Sequence, residues 1–247
     1  MPDHEGPFLS PDWPAPHSVR AVITTRRGGV SRAPFDSLNL ALHVGDDPDA
    51  VAENRRLLRV LAELPSEPLW LDQVHGTRVL ERSAGPNDRQ ADAATTTRPG
   101  QVLVVMTADC LPLLLCNRQG SRVAAVHAGW RGLAAGVIEQ AVASFDQPGD
   151  QLLAWLGPAI GPLAFEVGDE VRERFTSTDS GAASAFQPAR PGHWMADIYR
   201  LARMRLQQLG IGFIGGGDYC TVNDRGRFFS YRRDGVTGRM ASLIWIT

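Results

Sequence analysis

The stretch VVMTADCLPLLLCNRQGSRVAAVHAGWRGLAAGVIEQA, from Val104 to Ala141, decides the fold. Val102 to Met106 and Val123 to Val126 are uninterrupted apolar runs, the pattern of central strands covered on both faces. Such strands leave only their ends polar and reachable, and side chains of neighbouring strands converge there. Cys110 follows one run after "TAD", and His127 closes another. If "PLLLC" and "SRVAAVH" pair as a hairpin around Gly120, Cys110 and His127 come to the same end. There they could share a proton or a metal.

Outward from this block, "SVRAVITTRRGGVS" reads as a strand through Val19 to Thr25 followed by a turn at Gly28 and Gly29. "DPDAVAENRRLLRVLAEL" predicts a helix, with Asp49 as N-cap and Val51, Leu57, Leu58 and Leu61 at helical spacing. "LWLDQVHGTRVLER" reads as two strands around Gly76, and "GQVLVVMT", "PLLLC" and "SRVAAVH" as three more. A helix is expected from Trp130 to about Phe145, a buried strand at "LLAWLGP", and helices at "VGDEVRERF" and "WMADIYRLARMRLQQLG", the second stopped by Gly210. "GRMASLIWIT" closes the chain as a strand. Strand and helix alternate without a linker, so one mixed α/β domain over residues 1–247 is expected, with a Pro-rich leading segment at 1–17.

Composition narrows the function classes. The 247 residues carry a formal net charge of -2, which gives no footprint for nucleic acid or a membrane surface. Cys110, Cys116 and Cys220 are too few and oddly numbered for a disulfide framework, and the N-terminus has no basic-then-apolar leader. A cytoplasmic setting is expected. No apolar run reaches the roughly 18 residues of a membrane helix. Cys116, inside "LLLC", reads as core.

A third chemistry-bearing group comes from "QVHG", where Gly76 lets the backbone bend so that His75 can point into a cleft. Two imidazoles and a thiolate make a zinc set with a fourth position open to water or substrate. The alternative is a hydrogen-bonded core histidine and an ordinary buried cysteine. In "AGWRG", small residues bracket Trp130 and Arg131 ahead of a helix, a setting in which free N–H groups and a guanidinium hold an anion. Gly129 and Gly132 as packing glycines, with Arg131 at the surface, is the equal alternative.

Taken together, "SLNLALHVGDDPDAVAENR", "QVHGT", "ADA", "TADCLPLLLC", "VAAVHAGWRGL", "LGPAIGP", "FEVGDEV", "DYCT" and "FFSYRRDGVTGRMASLIW" resemble, in order, the pattern of the YfiH-type laccase-domain family, also called multicopper polyphenol oxidase-like or purine nucleoside phosphorylase-like. The likeness runs from about Thr24 to Trp245. It implies a layered α/β/α/β sandwich like the catalytic domain of cytotoxic necrotizing factor. It also implies zinc on His75, Cys110 and His127, with copper the lesser alternative. The implied activity is phosphorolysis of adenosine, inosine and methylthioadenosine, with adenosine deamination. Copper-dependent polyphenol oxidation and editing of peptidoglycan precursors are also described for the family. Ala33 stands where the family has glycine, and "ADAATTT" where it is more aliphatic; neither touches the implied ligands.

Phosphorolysis needs an anion held in line with the anomeric carbon and stabilisation of the leaving purine. Arg131 and the helix start are expected to hold phosphate. The deaminase signature H-x-E is missing, since Trp130 follows "HAG". A proton shuttle is therefore sought in Asp109 or Glu166, either of which is equally readable as a cap or as an acceptor behind a ligand. Asn39 and Arg26 sit in turn-like segments and are secondary candidates for substrate contact. So are Arg232 and Arg233, flanked by Phe228, Phe229 and Tyr231, which could stack on a purine. The expected partners are small nucleosides and phosphate, with no nucleic acid or membrane and at most weak homo-oligomerisation. Two rivals stand: a metal-free cysteine hydrolase with Cys110 as nucleophile and His127 as base, and a copper oxidase. The chain's six histidines are too few for several copper centres.

Overall fold

The structure is a computed structural model that describes residues 6–81 and 88–247. The start of the Pro-rich leading segment, with Pro2 and His4, lies outside the described residues. In chain order the strands are β1 (Phe8–Leu9), β2 (Val19–Thr24), β3 (Val79–Glu81), β4 (Ala93–Thr96), β5 (Leu103–Thr107), β6 (Leu111–Asn117), β7 (Val123–Ala128), β8 (Leu152–Leu156), β9 (Glu166–Gly168), β10 (Phe186–Pro188), β11 (His193–Ala196), β12 (Phe213–Gly216) and β13 (Met240–Ile246). The helices are α1 (Pro48–Leu61), α2 (Trp130–Ala135), α3 (Val137–Ala143), α4 (Asp169–Thr176), α5 (Ile198–Gln208) and α6 (Tyr231–Asp234).

β6 and β7 form the expected antiparallel hairpin. Leu111 faces Ala128 and Pro112 faces His127, so Cys110 and His127 do lie at one end. Gly120 turns the chain at φ 67, a conformation that L side chains rarely adopt. The hairpin is the middle of a six-stranded sheet ordered β12-β8-β6-β7-β4-β3; a four-stranded sheet runs β1-β2-β13-β5 and a small one β10-β11-β9.

The two-residue period of the hairpin divides its side chains between two cores. Leu111, Leu113, Leu115, Ala124 and Val126 pack under the helices with Leu133, Ile138 and Leu201. Leu114, Cys116, Val123 and Ala125 face the second sheet, meeting Leu103 and Val105 of β5 and Ile244 and Ile246 of β13. Val104, Met106, Leu243 and Trp245, on the outer face of that sheet, pack against Leu58 of α1 and against Leu38 and Leu40. The mixed α/β class expected from the sequence is the fold formed. Its layers place α1 on the outer face of one sheet and α2, α3 and α5 on the outer face of the other. Both faces of β5 and β6 are apolar, so each sheet covers the other.

Local details depart from the sequence reading for identifiable reasons. Helix α1 is capped by Asp47, whose carboxylate accepts the Asp49 amide at 3.0 Å, because Pro48 takes the first helical position. The helix expected over Trp130–Phe145 is two helices, broken by Gly136 at φ 99. Of the strands expected around Gly76 only β3 forms; Leu69 and Asp72 contribute isolated bridges. "HWMA" is strand β11, and α5 starts after Asp197, whose side chain accepts the Arg200 amide at 2.9 Å. Among the described residues no helix is long and apolar enough to cross a membrane.

Candidate metal centre

His127 alternates along β7 with residues that face the helices, so its ring enters the seam between the two large sheets, just past the end of β5. Cys110 is brought to the same place by the turn from β5 into β6. Asp109 makes that turn at φ 84, and its carboxylate is committed to holding it. Thr221 Oγ1 donates to Oδ1 at 2.5 Å, and the Arg232 amide donates to Oδ2 at 2.7 Å. His75 arrives from the loop between α1 and β3, in a left-handed conformation at φ 61. Gln73 stitches that loop to β5: its amide donates to the Met106 carbonyl and accepts the Met106 N–H, both at 2.8 Å.

Asp92 organises the cluster. It is fully buried, and its carboxylate accepts the backbone N–H groups of Val74 (3.2 Å), His75 (2.9 Å) and Gly76 (2.6 Å). Its Oδ1 also lies 2.8 Å from His127 Nδ1. One side chain thereby fixes the loop that carries His75 and turns His127 so that Nε2 faces Cys110. A carboxylate behind a histidine is the usual support of a metal-ligating imidazole. The His127 amide also donates to the Asp92 carbonyl at 2.7 Å.

Cys110 Sγ lies 3.8 Å from His75 Nε2, and the two imidazole rings cross at 77° with centroids 4.8 Å apart. The three donor atoms all lie within 4.8 Å of one another. A tetrahedral zinc with one sulfur and two nitrogens needs donors about 3.5 Å apart, so the set fits with small inward movements. Gly129 keeps the middle clear. A Cβ there would sit 3.0 Å from Cys110 Sγ, 3.0 Å from His75 Cδ2 and 3.5 Å from His127 Nε2.

Charge favours the same arrangement. Burial alone raises the Cys110 thiol, but the His127 cation and hydrogen bonds from both imidazoles outweigh it and hold the thiol at about 6. Burial lowers His127, yet the Cys110 thiolate and the Asp92 carboxylate carry it up to about 9. Cys116, in its apolar surroundings, is pushed up to about 12 and is inert core.

The cluster opens into a cavity of about 600 Å³, lined also by His43, Asp72, Gln73, Met106, Tyr231 and Arg239. Of the side chains expected to contact substrate, Tyr231 lines it, whereas Arg131, Arg26, Asn39, Arg232 and Arg233 do not. Arg131 is exposed, with its guanidinium 4.5 Å over the Trp130 ring. Arg26 pairs with Asp36 at 3.2 Å and borders a separate cavity of about 590 Å³. Asn39 is fully buried and bonds the Asp46 carboxylate, the Ala41 backbone and the Arg239 amide. Arg233 donates to the carbonyls of Thr221, Val222 and Phe228 and to Asp234. Glu166 is paired with Arg190 at 2.8 Å. The sequence reading does not single out Asp92, which holds the His75 loop and the His127 ring, or His43, Asp72, Gln73 and Arg239 on the cavity wall. The signal for Asp92 was in view as "ADA", an acid between small apolar residues beside a buried strand.

The family model described as multi-copper polyphenol oxidoreductase laccase matches residues 20–247. A purine nucleoside phosphorylase of Pseudomonas aeruginosa is 60% identical over 241 residues, covering 97% of this chain and 98% of that protein. The purine nucleoside phosphorylase YfiH of Escherichia coli is 55% identical over 240 residues, covering 97% and 98%. The crystal structure of a Neisseria meningitidis protein superimposes with a TM-score of 0.94 at 48% identity, covering 98% of this chain and 99% of that one. YlmD from Geobacillus stearothermophilus does so at 0.91 and 30% identity, covering 98% and 96%. With its motifs in order, its fold matched along almost the whole length and its His-Cys-His cluster assembled, the chain belongs to the multi-copper polyphenol oxidoreductase laccase family that includes YfiH.

Proposed function

We propose that the protein is a zinc-dependent purine nucleoside phosphorylase that cleaves adenosine, inosine and methylthioadenosine to the free base and a ribose 1-phosphate, and that also deaminates adenosine. The observation that carries this reading is the His75, Cys110 and His127 cluster at the floor of a cavity of about 600 Å³, in a chain 60% identical to a protein named purine nucleoside phosphorylase. A cavity of that size accommodates a nucleoside and an anion together. Zinc, when bound by the three side chains, supplies a Lewis acid that stabilises developing negative charge. Asp92 keeps His127 in the tautomer that offers Nε2. Tyr231 offers a flat ring at the cavity wall for a purine base. With both Asp109 oxygens taken, the groups placed to pass a proton to the departing purine are His43 and Asp72, which line the cavity. The chain's three free cysteines suit a reducing, cytoplasmic compartment.

A multicopper oxidase needs several metal centres. A single group of three or more donors forms among the described residues, which favours one metal ion. The Cys110 thiolate beside the His127 imidazolium supports a second reading, a metal-free hydrolase or amidase acting on peptidoglycan precursors. Incubating metal-quantified protein with adenosine, with and without phosphate, and identifying products by mass separates these. Ribose 1-phosphate formed only with phosphate is the expected result, with inosine reporting deamination. No turnover of any nucleoside by the zinc-loaded protein, with amide cleavage by the metal-free protein, would overturn it.

A further inference from the structure

The cavity contains a guanidinium that makes no direct ion pair among the described residues; the Cys110 thiolate and the Asp109 carboxylate act on it only at longer range. Arg239 leads into β13, and its Nη1 donates to the Thr237 and Gly238 carbonyls at 2.9 and 3.1 Å. Its Nε and Nη2 have no hydrogen-bond partner, and no carboxylate lies within 4.0 Å of the guanidinium, among the described residues. The backbone beneath it is fixed. Asn39 Oδ1 accepts the Arg239 amide at 3.0 Å, and a Cβ at Gly238 would stand 2.7 Å from the Phe229 ring and 2.9 Å from Asn39 Cβ. A planar fork is thus half-buried, pre-set and free on one edge, in the cavity that holds Cys110. A half-buried cation of this kind is stabilised by an anion, and two parallel N–H groups fit two oxygens of one oxyanion.

We propose that Arg239 is the oxyanion-binding residue of this site and that its ligand is a tetrahedral phosphate-type dianion. Under the phosphorylase reading, on which the choice of orthophosphate rests, this is the group that holds the attacking phosphate. Asn39 is its positioning residue, acting through the Arg239 amide without reaching the ligand. Arg131, which lies on Trp130 and does not line the cavity, takes no part.

The test is calorimetric titration of the zinc-loaded protein with inorganic phosphate, and separately with adenosine 5′-monophosphate. Arg239→Gln, Arg239→Lys and Arg131→Gln serve as variants. Loss of a charge-assisted fork is expected to weaken phosphate at least about tenfold in Arg239→Gln, with partial recovery in Arg239→Lys and none of this effect in Arg131→Gln. Zinc content and thermal midpoint, unchanged in all three, establish that the fold is intact. Arg239-dependent binding of the nucleotide with no binding of free phosphate would keep the residue's role and move the phosphate onto the substrate. Wild-type phosphate affinity in Arg239→Gln, or its loss in Arg131→Gln, would overturn the proposal. The two readings fail separately. Arg239-dependent phosphate binding without ribose 1-phosphate formation sinks the activity, and phosphorolysis with an unchanged KM for phosphate in Arg239→Gln sinks the residue.

Discussion

Asp92→Ala is expected to release the metal and to unfold the protein more readily than any surface change. The substitution strips acceptors from three backbone N–H groups at once and leaves the His127 ring without its partner. Unpaired donors in a buried setting cost about 1–3 kcal/mol each, so a loss of about 3 kcal/mol or more is expected against a typical total of about 5–15 kcal/mol. Zinc affinity should fall about 10–100-fold, since both the loop that carries His75 and the orientation of His127 depend on this carboxylate. Asp92→Asn, which retains one acceptor oxygen, should lose less stability. Burial raises the Asp92 carboxyl, but hydrogen bonds from His127, Gly76 and Val74 outweigh it and hold it below the usual range. Because the folded value is the lower one, its stabilisation is complete above the unfolded value of about 4 and is lost as pH falls from there through the lower folded value. Acid should therefore unfold wild type through this group, and the Asp92→Ala variant should show a flatter acid limb. Equilibrium denaturation from pH 3 to 7, with zinc quantified alongside, measures both effects. Wild-type zinc affinity in Asp92→Ala would contradict the role given to it.

Gly129→Ala is expected to abolish metal binding while leaving the fold in place. Gly129 adopts φ -60 and ψ 156, a region open to every L residue, so alanine brings no backbone strain. Its one added methyl would stand among the three donors, at 3.0 Å from both Cys110 Sγ and His75 Cδ2. The expected signature is a thermal midpoint close to that of the metal-free wild type, zinc affinity reduced at least about 100-fold, and nucleoside turnover lost in proportion. Gly132→Ala is the contrast. There the Cβ would stand 2.8 Å from the Gly76 carbonyl, so the cost falls on the backbone and appears first as lost stability. Full zinc occupancy in Gly129→Ala would mean that the ion does not sit between these side chains.

The parts of the site that could be read from the sequence are those set by short-range rules. Two apolar runs joined at Gly120 can pair in only a narrow range of registers without turning a face outward, so Cys110 and His127 follow from the hairpin. His75 follows less directly, through the bend allowed by Gly76. Arg239 and His43 were hidden because the cavity forms at the seam of two sheets. Its wall is built from the run-in to β13 and the segment before α1, about 200 residues apart in the chain. Arg131 misled because a helix start with an adjacent arginine has the composition of an anion site whichever way the side chain points. Here it lies on Trp130. Asn39 and Arg233 likewise carry polar groups that a sequence offers equally to a ligand or to the backbone, and the interior claimed them. The break at Gly136 was missed since apolar spacing continues across it; only its positive φ marks the end of α2.

The central claim is that one ion joins His75, Cys110 and His127, and zinc K-edge absorption of the zinc-loaded protein addresses it most directly. The account predicts a shell of one sulfur at about 2.3 Å and two imidazole nitrogens at about 2.0–2.1 Å, with a lighter fourth ligand. The sulfur should vanish in Cys110→Ser. A shell without sulfur in the wild type, or one unaltered by Cys110→Ser, would contradict it.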